Sequence, residues 1–386
     1  MQRIIPVLML SLASCALKQP QPKSEVSQML HRASAYLWSV QDRDGGWHSE
    51  THGLVKEGQA WTPFVLSALL DVPDSIYNPG SKVKKAVRFI TKRTNERGVL
   101  GLNDPDFIEY PNYSTAYALM SLLKVGHEDQ ALIQRMAAYL LSEQFTEQRG
   151  IFPDHVAYGS WGMGETNLRH GEIGHVDLSH TRRVLQALNM FGVSDPNALR
   201  KATSFLRVAQ KHPDAHVQPG LRQRDSTGVH YDGGFYYSPT TEAANKAGQE
   251  FISDTGDYFN RSYATATCDG LLALLYSDHS REGEPVQSAI NWLRDNPGLE
   301  EPSGIPEDDP GNWRQVIFFY HLMVRAEVYD LLDWPGDWRN EMLRIIQTKQ
   351  HADGSFSNPE GAANKEDDPM LASAMAVMVL TRILTK

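Results

Sequence analysis

The sequence predicts an all-α fold, an (α/α)6 toroid in which six helical hairpins close into a ring. Three observations predict it. Apolar residues at helical spacing recur in paired segments along the chain. Within each pair the first segment is amphipathic and the second is apolar nearly all round. Connections rich in Gly and Pro separate the segments, and several share one turn pattern. A helix that is apolar on every side must be buried, whereas an amphipathic one meets solvent. The second segments therefore form an inner ring and the first segments an outer ring, the layering expected of a stacked hairpin repeat.

The outer segments are 25–40, 81–93, 129–144, 196–211, 284–296 and 337–350, in that order. Their inner partners are 59–70, 112–125, 177–191, 262–277, 312–331 and 368–384, with Ala, Ser and Thr dense in the first turns. Start signals agree with these limits. Asp177 offers a cap to the third inner helix, and Ser194-Asp195-Pro196 offers a cap and a first-turn proline to the fourth outer one. No charge block or long Ser/Gly linker divides 25–386, which reads as one domain.

A hydrophobic content of 41% with 22% charged residues is enough to bury a large core and excludes a disordered or collagen-like chain. A net charge of −10 gives no basic footprint for phosphate backbones, so nucleic acid is not an expected partner. The first residues form a leader. Arg3 precedes an apolar run from Ile4 to Leu12, too short to span a bilayer, and Leu12-Ala13-Ser14-Cys15 follows. Those four residues resemble the lipobox of bacterial lipoproteins. The resemblance implies a signal peptide over 1–14, acylation (palmitate) of Cys15, and a lipid-anchored tether over 15–24. With Ala16 next, it implies attachment to the cell outer membrane, facing the periplasm. Only Cys268 is then left, so no intrachain disulfide forms and packing must supply the stability. The chain is expected to be a monomer.

Two connections carry the turn pattern most fully, Gln41-Asp42-Arg43-Asp44-Gly45-Gly46-Trp47 and Gln350-His351-Ala352-Asp353-Gly354-Ser355-Phe356. Variants occur at Ala157-Tyr158-Gly159-Ser160-Trp161-Gly162 and Asp232-Gly233-Gly234-Phe235. A Gln ending an outer helix can bond the turn backbone, glycine takes backbone angles other residues avoid, and the aromatic ring packs beneath. These turns resemble the repeats of squalene cyclases and of protein-prenyltransferase β subunits, and the likeness runs through nearly all of 25–386. It implies the terpenoid-cyclase/prenyltransferase toroid with a central cavity.

The chemistry of those families is only partly represented. Their cyclases open one inner helix with an Asp-x-Asp-Asp-Thr acid motif; the matching Pro111-Asn112-Tyr113-Ser114-Thr115-Ala116 keeps Thr115 but has no carboxylate. Asp104, Asp106 and Glu109 just before it read as solvated turn carboxylates. Prenyltransferases hold zinc with Asp-x-Cys and a His; here Asp177 is present, but Ser179 and Ala264 replace the other two. Asp308-Asp309 and Asp367-Asp368 lack the third carboxylate that magnesium diphosphate needs.

What remains is a polar knot around the third hairpin: Glu165, Arg169, His170, Glu172, His175, Asp177, His180, Arg182 and Arg183. Asp177 and His180 are one helical turn apart, so the carboxylate can orient the imidazole as a base, with Glu165 a third catalytic candidate. The same spacing lets His170, His175, Asp177 and His180 act as metal ligands, with zinc the cofactor considered. The plainer alternative has Asp177 capping the helix, His180 bonding it, and the arginines paired to Glu165 and Glu172. The cavity-wall candidates are Tyr113, Ser114, Trp161, Tyr263 and Cys268, the last also readable as a small buried hydrophobe, with Trp61, Tyr236 and Tyr237 as further aromatic walls.

Three functions compete. The first is a cyclase-like toroid that binds or transforms an isoprenoid or other apolar lipid. The second is a polysaccharide-cleaving lyase or hydrolase taking a glycan ligand, and the third is a non-catalytic binding lipoprotein. Asp177→Ala and His180→Ala are expected to abolish turnover at a cost of no more than about 1 kcal/mol in stability, as for surface-like sites.

Overall fold

Six outer helices each return into a buried inner helix in the computed structural model, which describes residues 22–104, 106–193, 195–215, 217, 231–240, 243–252 and 257–384. The expected leader and Cys15 lie outside the described residues.

The outer helices are α1 (Pro22–Ser39), α3 (Lys82–Arg93), α5 (Gln130–Ser142), α7 (Pro196–Ala209), α9 (Glu284–Asp295) and α12 (Trp338–Gln347). The inner helices are α2 (Trp61–Leu69), α4 (Pro111–Lys124), α6 (Leu178–Phe191), α8 (Ala264–Tyr276), α11 (Phe318–Leu331) and α13 (Pro369–Leu384). Each inner helix packs against the next around the ring, and α13 packs against α2 to close it. Every residue of α2 is buried, whereas α3 buries only Ala86, Phe89 and Ile90. Asp195 caps α7 as expected, accepting from the Asn197 amide at 2.9 Å ahead of Pro196, and Asp129 caps α5 in the same way, accepting from the Leu132 amide at 2.9 Å.

The Gln-Gly-aromatic turns fasten the layers by one device. Gln41 Nε2 donates to the Gly45 carbonyl of its own turn and to the Lys82 carbonyl at the start of the next outer helix, at 2.9 and 3.2 Å. Gln144 makes the same pair of bonds to Gly159 and Ala198, and Gln210 to Gly233 and Pro285. Gln350 reaches Gly354 and, across the seam of the ring, Met29 of α1, so the last turn ties the chain to its own first helix. The aromatic amides are held from the inner side: Trp47 donates to Thr62 Oγ1, Trp161 to Thr181 Oγ1, Phe235 to Thr267 Oγ1 and Phe356 to Ser373 Oγ. Gly159 shows why glycine is required. Its φ is +87° and a Cβ there would stand 1.8 Å from the Lys201 carbonyl oxygen.

Three features depart from expectation. The helix expected over 312–331 is broken at Ile317 into a short α10 (Trp313–Val316) and α11, because the buried Glu366 carboxylate accepts the Phe319 and Tyr320 amides at 2.9 Å and fixes a new helix start there. A short antiparallel hairpin, β1 (Gln249–Ile252) and β2 (Asp257–Asn260), decorates the connection before α8. It lies outside the Gly-Gly-aromatic segments, so the hairpin repeat is undisturbed. Third, α1 begins at Pro22, inside the stretch assigned to the tether.

Candidate functional site

Loops entering the inner helices form the rim of a cavity of about 410 Å³, within the range of small-molecule sites. A third of its lining residues are aromatic: Trp61 and Phe64 of α2, Tyr113 of α4, Trp313 of α10, Tyr320 of α11 and, from the loops, Tyr110, Tyr237 and Tyr263. Met163, Ile317, Leu371 and Met375 add apolar surface. Polar side chains are as numerous as the aromatic ones. They are His175, Ser179, His180, Lys246, Thr265, Asp269, Asn364 and Lys365.

Asp177 is fully buried behind this wall and caps α6. Oδ1 accepts from the Ser179 hydroxyl and the His180 amide, each at 2.8 Å. Oδ2 accepts from His175 Nε2, His180 Nδ1 and the Tyr237 hydroxyl, again each at 2.8 Å. Burial opposes ionisation of this carboxyl, yet the two imidazoles and their hydrogen bonds outweigh it and hold Asp177 well below the usual carboxylate range. Burial likewise works against charge on His175, but the Asp177 bond prevails and raises its pKa. With Nδ1–H given to Asp177, His180 keeps Nε2 for another partner, and that buried nitrogen has none among the described residues. This is a carboxylate-oriented imidazole on a cavity wall, the arrangement of a general base.

A second acid was missed by sequence reasoning. Asp269, 2% exposed on α8, lines the same cavity and accepts the Tyr320 hydroxyl at 2.9 Å. Burial raises its pKa to about 7, although Arg183 and the Tyr320 bond pull the other way. A signal was present, since Asp269 is the one charged residue in the 13-residue α8. Behind it, Arg182 and Arg183 pair with Glu327 of α11, and Arg182 Nε lies 3.9 Å from Asp269 Oδ1. The arginines of α6 therefore pair across the ring with α11, and not with Glu165 or Glu172 as the plainer alternative had it. Arg169 alone meets Glu172, on the surface.

The remaining candidates divide cleanly. Tyr113 and Tyr263 stand on the wall. Trp161 is fully buried as a turn aromatic, its Nε1 donating to the Leu140 carbonyl at 2.6 Å, and Ser114 Oγ donates to the Glu109 carbonyl at 2.5 Å; neither lines the cavity. Cys268 is buried away from it, and burial pushes its thiol up to about 12, which suits a packing role. Glu165 Oε1 accepts the His175 amide at 2.8 Å and so positions the loop from outside the wall. Glu109 is not a solvated turn carboxylate: it is fully buried and accepts the Glu57 and Ala60 amides at 2.8 Å, closing the start of α2. Lys246, missed in the sequence, rests on the Tyr237 ring with Nζ 3.2 Å from its centroid. Burial lowers its pKa to about 8 against the pull of Asp177 and Asp269.

The metal reading keeps three of its four residues. Ligand atoms of His175, Asp177 and His180 come within 4.8 Å of one another, a donor set that could hold zinc. His170 is exposed and packs near Gly150, apart from them. A ligating histidine ordinarily donates its second N–H to an acceptor, and His180 Nε2 has none among the described residues. The bonds present thus describe two imidazoles aligned on one carboxylate oxygen.

The sequence matches no protein-family model and no curated protein. Solved structures do match its fold. The type II terpene cyclase MstE from Scytonema superposes with a TM-score of 0.56 at 13% identity, covering 93% of this chain and 98% of that one. A variant of that cyclase in complex with geranylgeranyl dihydroxybenzoate gives 0.58 at 12% identity, covering 94% and 98%. A variant of the α-1,6-mannanase GH76A of Salegentibacter sp. HEL1_6 in complex with α-1,6-mannotriose gives 0.52 at 12% identity, covering 93% and 98%. At such identities the likeness is one of fold, and the fold of this chain is the α/α toroid shared by terpenoid cyclases and GH76 mannanases.

Proposed function

We propose that the protein takes an isoprenoid or comparably apolar lipid chain into the aromatic cavity and cyclises or isomerises it by proton transfer. The observation that carries this is the pairing, on one cavity wall, of a buried acid bonded to Tyr320, Asp269, whose pKa burial raises, with an oriented imidazole, His180. Asp269 would give a proton to an alkene, the rings of Trp61, Tyr113, Tyr263 and Tyr320 would stabilise the cationic chain, and His180 Nε2 would remove a proton elsewhere. Proton return through the mouth resets both groups. This differs from the family's acid motif, whose positions on α4 carry no carboxylate.

Glycan cleavage needs two carboxylates free to act as acid and as base or nucleophile. Asp177 has five donors on its two oxygens, and among the described residues Asp269 is the one carboxylate lining the cavity, which favours the lipid reading. The lipobox Leu12-Ala13-Ser14-Cys15 supports an outer-membrane anchor, which would hold the mouth near a lipid supply.

The test is incubation of the purified protein with farnesol and geranylgeraniol in deuterated water, followed by mass spectrometry. A product carrying deuterium, lost in Asp269→Asn, is expected. Equal turnover by Asp269→Asn, or release of mannose from α-1,6-manno-oligosaccharides in place of lipid turnover, would refute it.

A further inference from the structure

The rim of the cavity carries charge that the proton-transfer chemistry does not use. Lys246 and Lys365 both line it, and both sit in loops that lead into inner helices, α8 and α13. Between those helices stands α11, preceded by α10. Lys246 Nζ lies 5.1 Å from the Trp313 ring of α10, and α10 packs on the 362–364 turn that ends at Lys365. The two lysines therefore enter the rim of one cavity from segments on either side of α10.

Each rests on an aromatic face. Lys246 sits over Tyr237, and Lys365 Nζ lies 5.5 Å from the Tyr110 ring centroid. Neither has a carboxylate partner or a hydrogen-bond acceptor among the described residues. Other lysines of this protein are placed otherwise: Lys124 meets Asp71, Lys201 meets Glu147 and Lys211 meets Asp232. Of the two acids that act on Lys246, Asp177 already serves two imidazoles and a tyrosine, and Asp269 accepts the Tyr320 hydroxyl. A half-buried ammonium without a counter-ion is costly, and a ligand that supplies one recovers that cost.

We infer that the substrate is an amphiphile with an oxyanion head, a carboxylate or a phosphate monoester, bound with its chain in the aromatic cavity and its head between Lys246 and Lys365. This rests on the lipid reading and narrows it, since a neutral hydrocarbon would leave both lysines unanswered. It also sets the direction of entry: the chain goes in first, toward Asp269, and the head stays at the rim.

Calorimetric titration of the full chain with farnesoic acid, farnesyl monophosphate and farnesol tests it. At least one of the two anions is expected to bind ten-fold or more tightly than farnesol, and which one identifies the head. In the Lys246→Met/Lys365→Met double variant that preference should vanish while farnesol binding is kept; Lys→Arg at both positions should restore it. Farnesol binding as tightly as both anions, or a preference that survives in the double variant, would overturn the inference while leaving the lipid reading intact. If none of the three binds, the lipid reading falls, and this inference with it.

Discussion

Replacing Asp177 by alanine tests the site where sequence and structure disagree most in magnitude. Read as part of an open site, the residue should be expendable for stability. The structure makes it a buried hub with five donors directed at two oxygens. A buried donor stripped of its acceptor costs about 1–3 kcal/mol. Not all five costs would be met in full, because His175 keeps 23% of its side chain exposed and water can enter from the cavity. A loss of about 3–5 kcal/mol follows, the range for deleting one member of a buried charged network.

The pH dependence has a definite sign. Asp177 is depressed below its ordinary 3.8, so its contribution is present above that value and lost as pH falls through the lower folded-state pKa. His175 is raised above 6.5, so its contribution is present below 6.5 and lost as pH rises through the raised value. The gap between parent and Asp177→Ala should thus be widest between about pH 4 and 6.5 and should narrow on both sides. Urea unfolding of both proteins across that range measures it. A gap below about 1 kcal/mol at pH 6, or one that widens steadily above pH 8, would refute the hub.

Two further outcomes follow from named contacts. Asp269 has its pKa raised from 3.8 to about 7, so the folded state holds a proton that the unfolded chain releases, and stability should fall as pH rises through that window; Asp269→Asn should flatten this part of the profile by a few kcal/mol in urea unfolding, and an unchanged slope would contradict it. Gly159→Ala should cost about 4 kcal/mol or more, because a Cβ would meet the Lys201 carbonyl at 1.8 Å as well as an unfavourable φ of +87°. Gly192→Ala, with φ +84° but open space around it, should cost only about 1–2 kcal/mol, and equal thermal shifts for the two would refute the packing argument.

The fold was legible because its information is periodic. Helix limits fall within a few residues of those read from the sequence, and the Gln-Gly-aromatic turns do the joining that their residues suggested. Where the reading failed, the determining contact lay far away in sequence. Glu366 breaks the helix at Ile317 from 49 residues further on, and nothing local announces it. Glu109 looked like one of several loop acids, yet it crosses to Glu57 and Ala60 in the preceding hairpin.

The site was half legible for a related reason. Asp177, His175 and His180 are neighbours in sequence, and local spacing was enough to join them. Asp269, Arg182, Arg183 and Glu327 come from three inner helices, and only ring closure brings them together. Their signal was of another kind: charged residues inside the inner-ring helices, two basic on α6, one acid on α8, and Arg325, Glu327 and Asp330 on α11. A buried charge without a partner is too costly to persist, so such residues on neighbouring apolar helices must find one another in the centre of a ring. An acid that is left with an incomplete share of that pairing, as Asp269 is, has its pKa pushed up by burial. Scanning the inner helices of a toroid for unmatched charge would therefore have pointed to the cavity and to Asp269 together.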